Sequence, residues 1–278
     1  ISDVSPLSGL TSLTWLDLWQ NQISDVSPLS GLISLTELYL SGNQISDISP
    51  LSGLISLTWL VLSGNQISDL PPFSGLTSLT GLRLEINQIS DVSPLSGLTS
   101  LTWLDLSENQ ISDISPLSGL TSLARLDLSE NQISDISPFS GLTSLTWLDL
   151  SGNQISNVTP LVDNEGLSDA DWVDLRYNPL NAESLSTLIP QLEARGVEVL
   201  YCGEPQAVTF PDPNLEAAIR EAIGRPQGPI DICDLEWLTS LDASQNNITD
   251  VTGLEYCHDL TTLFLGENQI SDVSPLLG

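Results

Sequence analysis

The heptad "SLTWLDL" occupies residues 12–18 and recurs unchanged at residues 100–106 and 144–150, with the near-copy "SLTWLVL" at 56–62. An asparagine follows each copy and returns every 22 residues. These positions are Asn21, Asn43, Asn65, Asn87, Asn109, Asn131 and Asn153. Each asparagine ends the pattern L-x-x-L-x-L-x-x-N, and an isoleucine follows two residues later. Repetition at a fixed period predicts a solenoid in which each repeat packs only against its neighbours.

This pattern resembles the leucine-rich repeat. Its L-x-L core, such as residues 16–18, alternates inward and outward as one short strand, and successive copies stack side by side. The resemblance implies an α/β solenoid, namely a right-handed leucine-rich repeat horseshoe. We expect a parallel sheet on the concave side, a short 3-10 or extended convex side, and helical caps at the ends.

The second half of each repeat, I-S-D-[VI]-S-P-L-S-G-L, is rich in Ser, Pro and Gly and predicts a turn followed by extended or 3-10 structure. One aspartate per repeat precedes its proline: Asp25, Asp47, Asp69, Asp91, Asp113 and Asp135. We expect these carboxylates to accept backbone N–H groups locally, although a calcium-binding column is an alternative. The asparagines are expected to bond backbone groups of adjacent coils.

The repeat changes after Thr159, because Asn178 follows Asn153 by 25 residues rather than 22. A helix is predicted to start at 181–184, with Leu185, Leu188, Ile189 and Leu192 on one apolar face. Pro190 should kink or split it, and residues 197–201 are predicted to form a final strand. Because the end of a solenoid exposes its core, we interpret this element as a cap.

A second helix is predicted at Asp212-Pro213, with an apolar face of Leu215, Ala218, Ile219 and Ala222 and an end at Gly224. Repeats resume with Asn246 and Asn268. We therefore interpret residues 1–201 as the C-terminal part of a first array with its cap, 202–210 as a linker, and 211–278 as the N-terminal cap and first repeats of a second array. The chain lacks Met and begins within a repeat, so we expect a segment of a longer protein.

Longer stretches are specific enough to suggest a family. "NQISDVSPLSGLTSLTWLDLSENQISDIS" (87–115) is similar to the 22-residue repeats of bacterial internalins and related surface proteins. "FPDPNLEAAIREAIG" (210–224), with the following "LTSLDASQNNITDVTGLEYCHDLTTLFLGENQISDVSPL" (238–276), resembles their N-terminal cap and first repeats. The resemblance implies a concave sheet that binds another macromolecule, usually a protein, outside the cell. Internalins typically continue into an immunoglobulin-like domain, whereas this chain has the predicted helix and strand of 182–201.

The variable positions that flank each strand core should face the concave surface. One predicted column contains Trp15, Glu37, Trp59, Gly81, Trp103, Arg125, Trp147 and Trp172, and the next contains Asp17, Tyr39, Val61, Arg83, Asp105, Asp127, Asp149 and Asp174. Trp19 should face the same side. Tryptophans in alternate repeats are expected about 10 Å apart, twice the strand spacing. We predict that Trp19 and these columns, apart from Gly81 and Val61, bind the ligand. The alternatives are duplication of a two-repeat unit, which copies a tryptophan without selecting it, and tryptophans that merely shield the sheet.

Composition narrows the function further. The chain has 36 acidic and 6 basic residues and a net charge of −30, which disfavours nucleic acid and anionic membrane surfaces as partners. No apolar run approaches the roughly 18 residues that a membrane span needs. The only histidine, His258, has no evident catalytic partner in the sequence, so we expect neither an enzyme, a cofactor nor a catalytic metal.

The three cysteines do not form a disulfide framework. Cys257 aligns with a core position, and a bridge between Cys202 and Cys233 is left open. The sequence thus predicts an extracellular or cell-surface module that binds a protein or peptide on its concave face, with carbohydrate binding or a spacer role as alternatives.

Overall fold

The protein is described by a computed structural model that covers residues 1–71, 73, 75–203 and 206–277. Its chain divides into two compact units, Ile1–Tyr201 and Cys202–Gly278. Each unit has its own hydrophobic core. The interpretation of these units as parts of two arrays stays a prediction.

In the first unit, the described residues form a parallel sheet of nine strands in sequence order. Leu and Ile side chains that face away from the open side of the sheet fill one continuous core. Each strand spans three residues and begins one residue before the predicted L-x-L core, at Trp15 rather than Leu16 in the first repeat. The strands are β1 (Trp15–Asp17), β2 (Glu37–Tyr39), β3 (Trp59–Val61), β4 (Gly81–Arg83), β5 (Trp103–Asp105), β6 (Arg125–Asp127), β7 (Trp147–Asp149), β8 (Trp172–Asp174) and β9 (Glu198–Leu200).

The opposite side carries short 3-10 helices that begin at the Ser-Pro of a repeat: Ser5–Leu7, Ser27–Leu29, Ser49–Gly53, Ser93–Leu95, Ser115–Gly119 and Ser137–Gly141. The predicted capping role of the aspartates is confirmed. Asp113 Oδ1, for example, accepts the backbone N–H of Ser115 at 2.8 Å, and Asp25, Asp47, Asp91 and Asp135 make the same bond in their repeats. Asp69 differs because the residue two positions later is Pro71, which has no N–H.

The asparagine column bonds neighbouring coils to one another, as predicted. Asn109 is 9% exposed, and its Nδ2 donates to the carbonyls of Leu84 and Leu106, both at 3.1 Å. Its Oδ1 accepts the backbone N–H of Ile89 at 2.9 Å. The same arrangement recurs at Asn43, Asn65, Asn87, Asn131 and Asn153. The repetition of asparagine therefore follows from buried backbone groups that need partners.

The end of the first unit is built as predicted, with one difference in the helix. After α1 (Thr159–Val162) and β8, a π-helical turn at Ser184–Leu188 leads into α2 (Ile189–Glu193). Pro190 has no N–H to donate into the preceding turn, and the chain responds by widening that turn rather than by breaking. Leu188, Ile189 and Leu192 are buried, and β9 pairs with β8.

The second unit begins with an antiparallel pair, β10 (Ala207–Val208) and β11 (Ile230–Asp231), which the sequence did not predict. Helix α3 (Pro213–Ala222) lies between them, followed by α4 (Ile232–Glu236) and the parallel pair β12 (Ser240–Asp242) and β13 (Thr262–Phe264). Burial alone would raise the pKa of the N-cap Asp212, but hydrogen bonds from Thr249, Asn214 and Asp250 outweigh it and lower this pKa to about 2. The cap helix is thereby tied to the first repeat of its unit.

The stretch predicted as a linker, residues 202–210, belongs to the second unit. Val208 and Phe210 are buried in its core, and Cys202 forms a disulfide with Cys233. Residues 204 and 205 lie outside the described residues. Cys257 is a free, buried thiol, as predicted, and burial raises its pKa to about 11. Ala222, expected on the apolar face of α3, is exposed instead.

Candidate functional site

The parallel register builds columns of side chains on the open face of the first unit. Trp15, Glu37, Trp59, Gly81, Trp103, Arg125, Trp147 and Trp172 stand opposite one another in sequence order, and so do Asp17, Tyr39, Val61, Arg83, Asp105, Asp127, Asp149 and Asp174. The leucine or valine between them points into the core on each strand from β2 to β8. Both predicted columns therefore share one face of the sheet.

Trp59 and Trp103 do not stand about 10 Å apart, as the strand spacing predicted. Their ring centroids are 5.1 Å apart, in an edge-to-face arrangement. The reason is Gly81 on the strand between them, since a Cβ there would lie 2.0 Å from atoms of the Trp59 ring. The Trp59 ring lies over this glycine and reaches Trp103.

Further along the sheet, an arginine joins the remaining tryptophans. The Arg125 guanidinium lies 4.8 Å from the Trp103 ring centroid and 4.0 Å from that of Trp147. The rings of Trp147 and Trp172 are stacked, with their centroids 4.8 Å apart. We call the row formed by Trp103, Arg125, Trp147 and Trp172 the aromatic row. Arg125 is exposed and the three tryptophans are half-buried, so the row presents ring edges and a guanidinium rather than isolated open rings.

The two most exposed tryptophans lie at the other end of the sheet. Trp15 is 55% and Trp19 is 58% exposed. The ring centroids of Trp15 and Tyr39 are 5.9 Å apart. The Tyr39 hydroxyl donates a hydrogen bond to Glu37 at 2.8 Å. Here the predicted exposed aromatic surface is present.

The predicted aspartate column is much less open than expected. Asp17 is exposed, Asp127 and Asp149 are half-buried, and Asp105 and Asp174 are 8% and 0% exposed. Asp174 accepts two hydrogen bonds from Arg176 Nε at 2.9 and 3.0 Å. Asp105 and Asp174 were predicted to contact a ligand, but neighbouring side chains cover both carboxylates. The structure therefore does not support this part of the prediction.

The half-buried carboxylates carry perturbed pKa values. Burial raises the pKa of Asp127 to about 6, against the opposing hydrogen bonds from Ser129, and the charges of Asp105 and Asp149 push it in the same direction as burial. Burial also raises the pKa of Asp149. A row of like charges is thus partly removed from water, with Asp127 at its centre.

Of a third column on the same face, the sequence analysis identified only Trp19. The column also contains Ser41, Ser63, Glu85, Ser107, Ser129, Ser151 and Arg176, each two residues beyond a member of the aspartate column. Ser129 Oγ donates to Asp127 at 2.7 Å, and Ser151 Oγ donates to Asp149 at 2.7 Å. The signal was available in the sequence, because Trp19, Glu85 and Arg176 interrupt an otherwise constant serine.

We find no arrangement of metal ligands in the part of the chain that the structure describes, where no three His, Cys, Asp or Glu side chains converge. Among the same residues, no helix is long and apolar enough to cross a membrane. The open face carries aromatic rings, a guanidinium that lies between two of them, and partly desolvated carboxylates.

Comparison with known proteins defines the class of this chain. Family profiles described as "Leucine Rich repeats (2 copies)" match residues 11–53, 99–141, 121–163 and 236–278, and one described as "Leucine rich repeat" matches residues 55–111. Together these matches span more than half of the chain. The chain belongs to the leucine-rich repeat family, and its fold is the horseshoe that the repeat pattern predicted.

Solved structures narrow the resemblance to internalins. Internalin C2 of Listeria monocytogenes is 34% identical over 70% of this chain and 84% of its own, with a TM-score of 0.62. The internalin InlF of the same organism is 32% identical over 99% of this chain and 81% of its own, with a TM-score of 0.59. A plant peptide hormone receptor, RGFR1 in complex with RGF2, is 26% identical over 72% of this chain and 38% of its own, with a TM-score of 0.57. No curated protein matches the chain in sequence. Within its family, the chain is an internalin-like bacterial protein.

Proposed function

We propose that this chain is a non-catalytic recognition module of a secreted or surface-displayed bacterial protein, and that it binds a protein or peptide on the open face of the first unit. The leucine-rich repeat fold is a protein-interaction scaffold, and the related plant receptor is described in complex with a peptide hormone. The disulfide between Cys202 and Cys233 supports an oxidising location such as the cell exterior.

The observation that carries the proposal is the aromatic row beside the aspartate column. Trp and Arg are the residues enriched at the energetic centres of protein interfaces. Arg125 is held between two rings, so little conformational entropy remains to be lost when a partner contacts it. The row is therefore preorganised for an interface.

The charges of this face indicate what kind of partner it takes. Asp127 and Asp149 are partly desolvated, since burial raises the pKa of both, and the charge of Asp149 raises the pKa of Asp127 further. Lysine or arginine side chains of a ligand would relieve this repulsion, and the overall charge of −30 would steer a basic partner towards the protein. The favoured ligand is a basic protein or peptide segment.

A displayed library of random peptides, selected against the whole chain, tests this proposal. We expect the selected peptides to be enriched in Lys and Arg, and to bind much more weakly to Trp147→Ala and Asp127→Asn. Ile55→Ala is the matched control, because Ile55 is 59% exposed but lies outside the columns of the open face.

Three results would contradict the proposal. The first is a set of peptides that bind both open-face variants as tightly as the wild type. The second is a set whose binding is lost in the Ile55→Ala control. The third is the absence of selected peptides together with specific binding on a glycan array, which would favour the carbohydrate alternative.

A further inference from the structure

The repeat that contains β6 differs from the repeat before it at one place. Residues 97–116 and 119–138 are identical except that Ala124 stands where the earlier repeat has Thr102, and Arg125 stands where it has Trp103. Arg125 begins β6, lies in the column of the tryptophans and is exposed. Between two nearly identical repeats, the change from Trp to Arg thus falls on a residue of the open face that a partner can reach.

The contacts of Arg125 set it apart from the other arginines. In the described part of the chain, four arginines form ion pairs with carboxylates of the protein: Arg83, Arg176, Arg220 and Arg225. Arg195 donates to the backbone carbonyl of Asn164 at 3.2 Å. Arg125 contacts two aromatic rings instead, and no carboxylate oxygen of the described residues lies within 4.0 Å of its guanidinium nitrogens. Its charge is therefore not taken up by an ion pair within the protein.

The two rings hold the guanidinium and leave its outer side open. Trp103 and Trp147 belong to β5 and β7, which pair with β6 on its two sides, so the rings approach Arg125 from opposite directions. Because Arg125 is nevertheless exposed, a ligand reaches its N–H groups from the solvent side. A guanidinium is a planar fork of donors that matches the two oxygens of a carboxylate. Held between rings, this fork is already oriented before a ligand arrives.

Negative charges border Arg125 on the same face. Asp127 follows two residues later on β6, about 6.6 Å along the strand, which is twice the rise per residue. Asp149 stands beside Asp127 on β7. These aspartates repel an isolated anion, but they attract a basic group that arrives together with it. In an extended peptide, residues i and i+2 have this same separation and point to the same side.

We propose that Arg125 is the subsite for a carboxylate of the ligand, and that this carboxylate lies two residues from the basic side chain that meets Asp127 and Asp149. The inference rests on the proposed function and adds a second requirement to the basic ligand. Two N–H groups of Arg125 donate to the two carboxylate oxygens. The carboxylate belongs to an Asp or Glu side chain or to the end of a chain.

Other groups fit this position less well. A lysine or arginine of the ligand meets the like charge of Arg125. A neutral carbonyl or hydroxyl accepts from Arg125, but without the charge that roughly doubles the strength of the bond. A phosphate group brings more negative charge than a carboxylate next to Asp127 and Asp149, in a protein whose net charge is −30. The combination of one carboxylate and one neighbouring cation matches both sides of the site.

Three acetylated tripeptides test the proposal: Lys-Ala-Glu amide, Lys-Ala-Gln amide, and Lys-Ala-Gln with a free C-terminal carboxylate. The first two differ only in the side-chain carboxylate, and the last two differ only in the terminal one. Each is titrated into the whole protein labelled with ¹⁵N at tryptophan, and the indole N–H signals of Trp103 and Trp147 are followed. We expect saturable shifts in the millimolar range, with Lys-Ala-Glu amide binding about tenfold more tightly than Lys-Ala-Gln amide.

The free-acid peptide distinguishes the two sources of the carboxylate. If it binds as tightly as Lys-Ala-Glu amide, the subsite accepts chain ends as well as side chains. If it binds like the neutral amide, the subsite is restricted to side chains. If it alone binds tightly, the subsite is restricted to chain ends. Each of these results supports a carboxylate subsite and names its source.

Arg125→Gln removes the charge and keeps a polar side chain at an exposed position, so the variant should fold. We expect all three peptides to bind it equally weakly. An arginine that merely joins the two rings would behave differently, because its loss would lower the midpoint of thermal unfolding but leave the preference for a carboxylate unchanged. The matched control is Arg195→Gln, which removes the same charge outside the open face and should keep the full preference.

The proposal is overturned if neither carboxylate-bearing peptide binds more tightly than the neutral amide, or if none of the three binds at its solubility limit. It is also overturned if the preference survives in Arg125→Gln or is lost in Arg195→Gln. The peptide selection above asks a separate question, namely whether basic peptides need Trp147 and Asp127. A selection that succeeds while the Glu and Gln peptides bind alike therefore rejects the subsite and leaves the proposed function standing.

Discussion

Replacing Asp127 by asparagine should stabilise the first unit at neutral pH. The pKa of Asp127 is raised by burial from 3.8 to about 6, so the folded protein holds this proton more tightly than the unfolded chain. Ionisation of Asp127 therefore lowers the free energy of unfolding as the pH rises from about 4 to above 6. Asparagine keeps the oxygen that accepts from Ser129 and carries no charge.

The magnitude follows from the shift of about two pKa units, each worth about 1.36 kcal/mol. The stability gained by removing the charge of Asp127 therefore has an upper limit of about 3 kcal/mol. Because Asp127 is only half-buried, solvent screening reduces it, and we expect the variant to be more stable by about 1–2 kcal/mol at neutral pH. The gain should shrink to nearly zero at about pH 4, where both side chains are neutral.

Urea titration of both proteins at several pH values measures this difference, with tryptophan fluorescence as the signal. Six of the seven tryptophans lie in the first unit, so the signal reports mainly on that unit. Asp113→Asn is the control, because hydrogen bonds from Ser115 lower the pKa of this exposed carboxyl. This control should be less stable than the wild type at neutral pH and approach it in acid. If Asp127→Asn shows no gain at neutral pH, or the same gain at pH 4, the carboxylate is not desolvated as argued.

Three further variants test the scaffold. Asn109→Ala removes bonds to one buried backbone N–H and two backbone carbonyls and should lower the free energy of unfolding, measured in urea, by about 3–5 kcal/mol. A loss below about 1 kcal/mol would contradict the bridging role of the asparagine column. Gly81→Ala places a Cβ 2.0 Å from the Trp59 ring, so the ring should swing out and red-shift the fluorescence while circular dichroism stays unchanged; an unshifted spectrum would refute the close packing. The double variant Cys202→Ser, Cys233→Ser removes a disulfide that joins residues 31 positions apart. It should lower the free energy of unfolding of the second unit by roughly 2–4 kcal/mol, as measured by calorimetry. An unchanged unfolding transition would show that the disulfide does not stabilise the unit.

Periodic features of the fold were predictable because they depend on local rules. The period of 22 residues, the presence of one short strand in each repeat and the capping aspartates each follow from a pattern within one repeat. The role of the asparagines was predictable as well, since a buried polar side chain at each turn must bond the backbone. The break at Pro190 was placed correctly, but its form, a π-helical turn, depends on how the cap packs.

The open face was predictable only in part. Strand alternation placed Trp15, Trp59 and Asp127 on one face correctly, because side-chain direction follows from a period of two. The distance between Trp59 and Trp103 was predicted wrongly, because a sequence pattern fixes where a ring is attached but not how it leans. The glycine between the two strands decides that lean.

By itself, the sequence determined the repeat, the strand register and the residues that line each face, since these follow from the spacing of leucine and asparagine. Only the tertiary structure decided which of those residues are open to a partner. Asp17 and Asp174 occupy the same column, yet one is exposed and the other is fully covered. The physical reason is that exposure depends on the coils on either side of a strand: among the described residues, β1 is the first strand of the sheet and pairs only with β2, whereas β8 lies between β7 and β9. Those contacts form only when the coils stack.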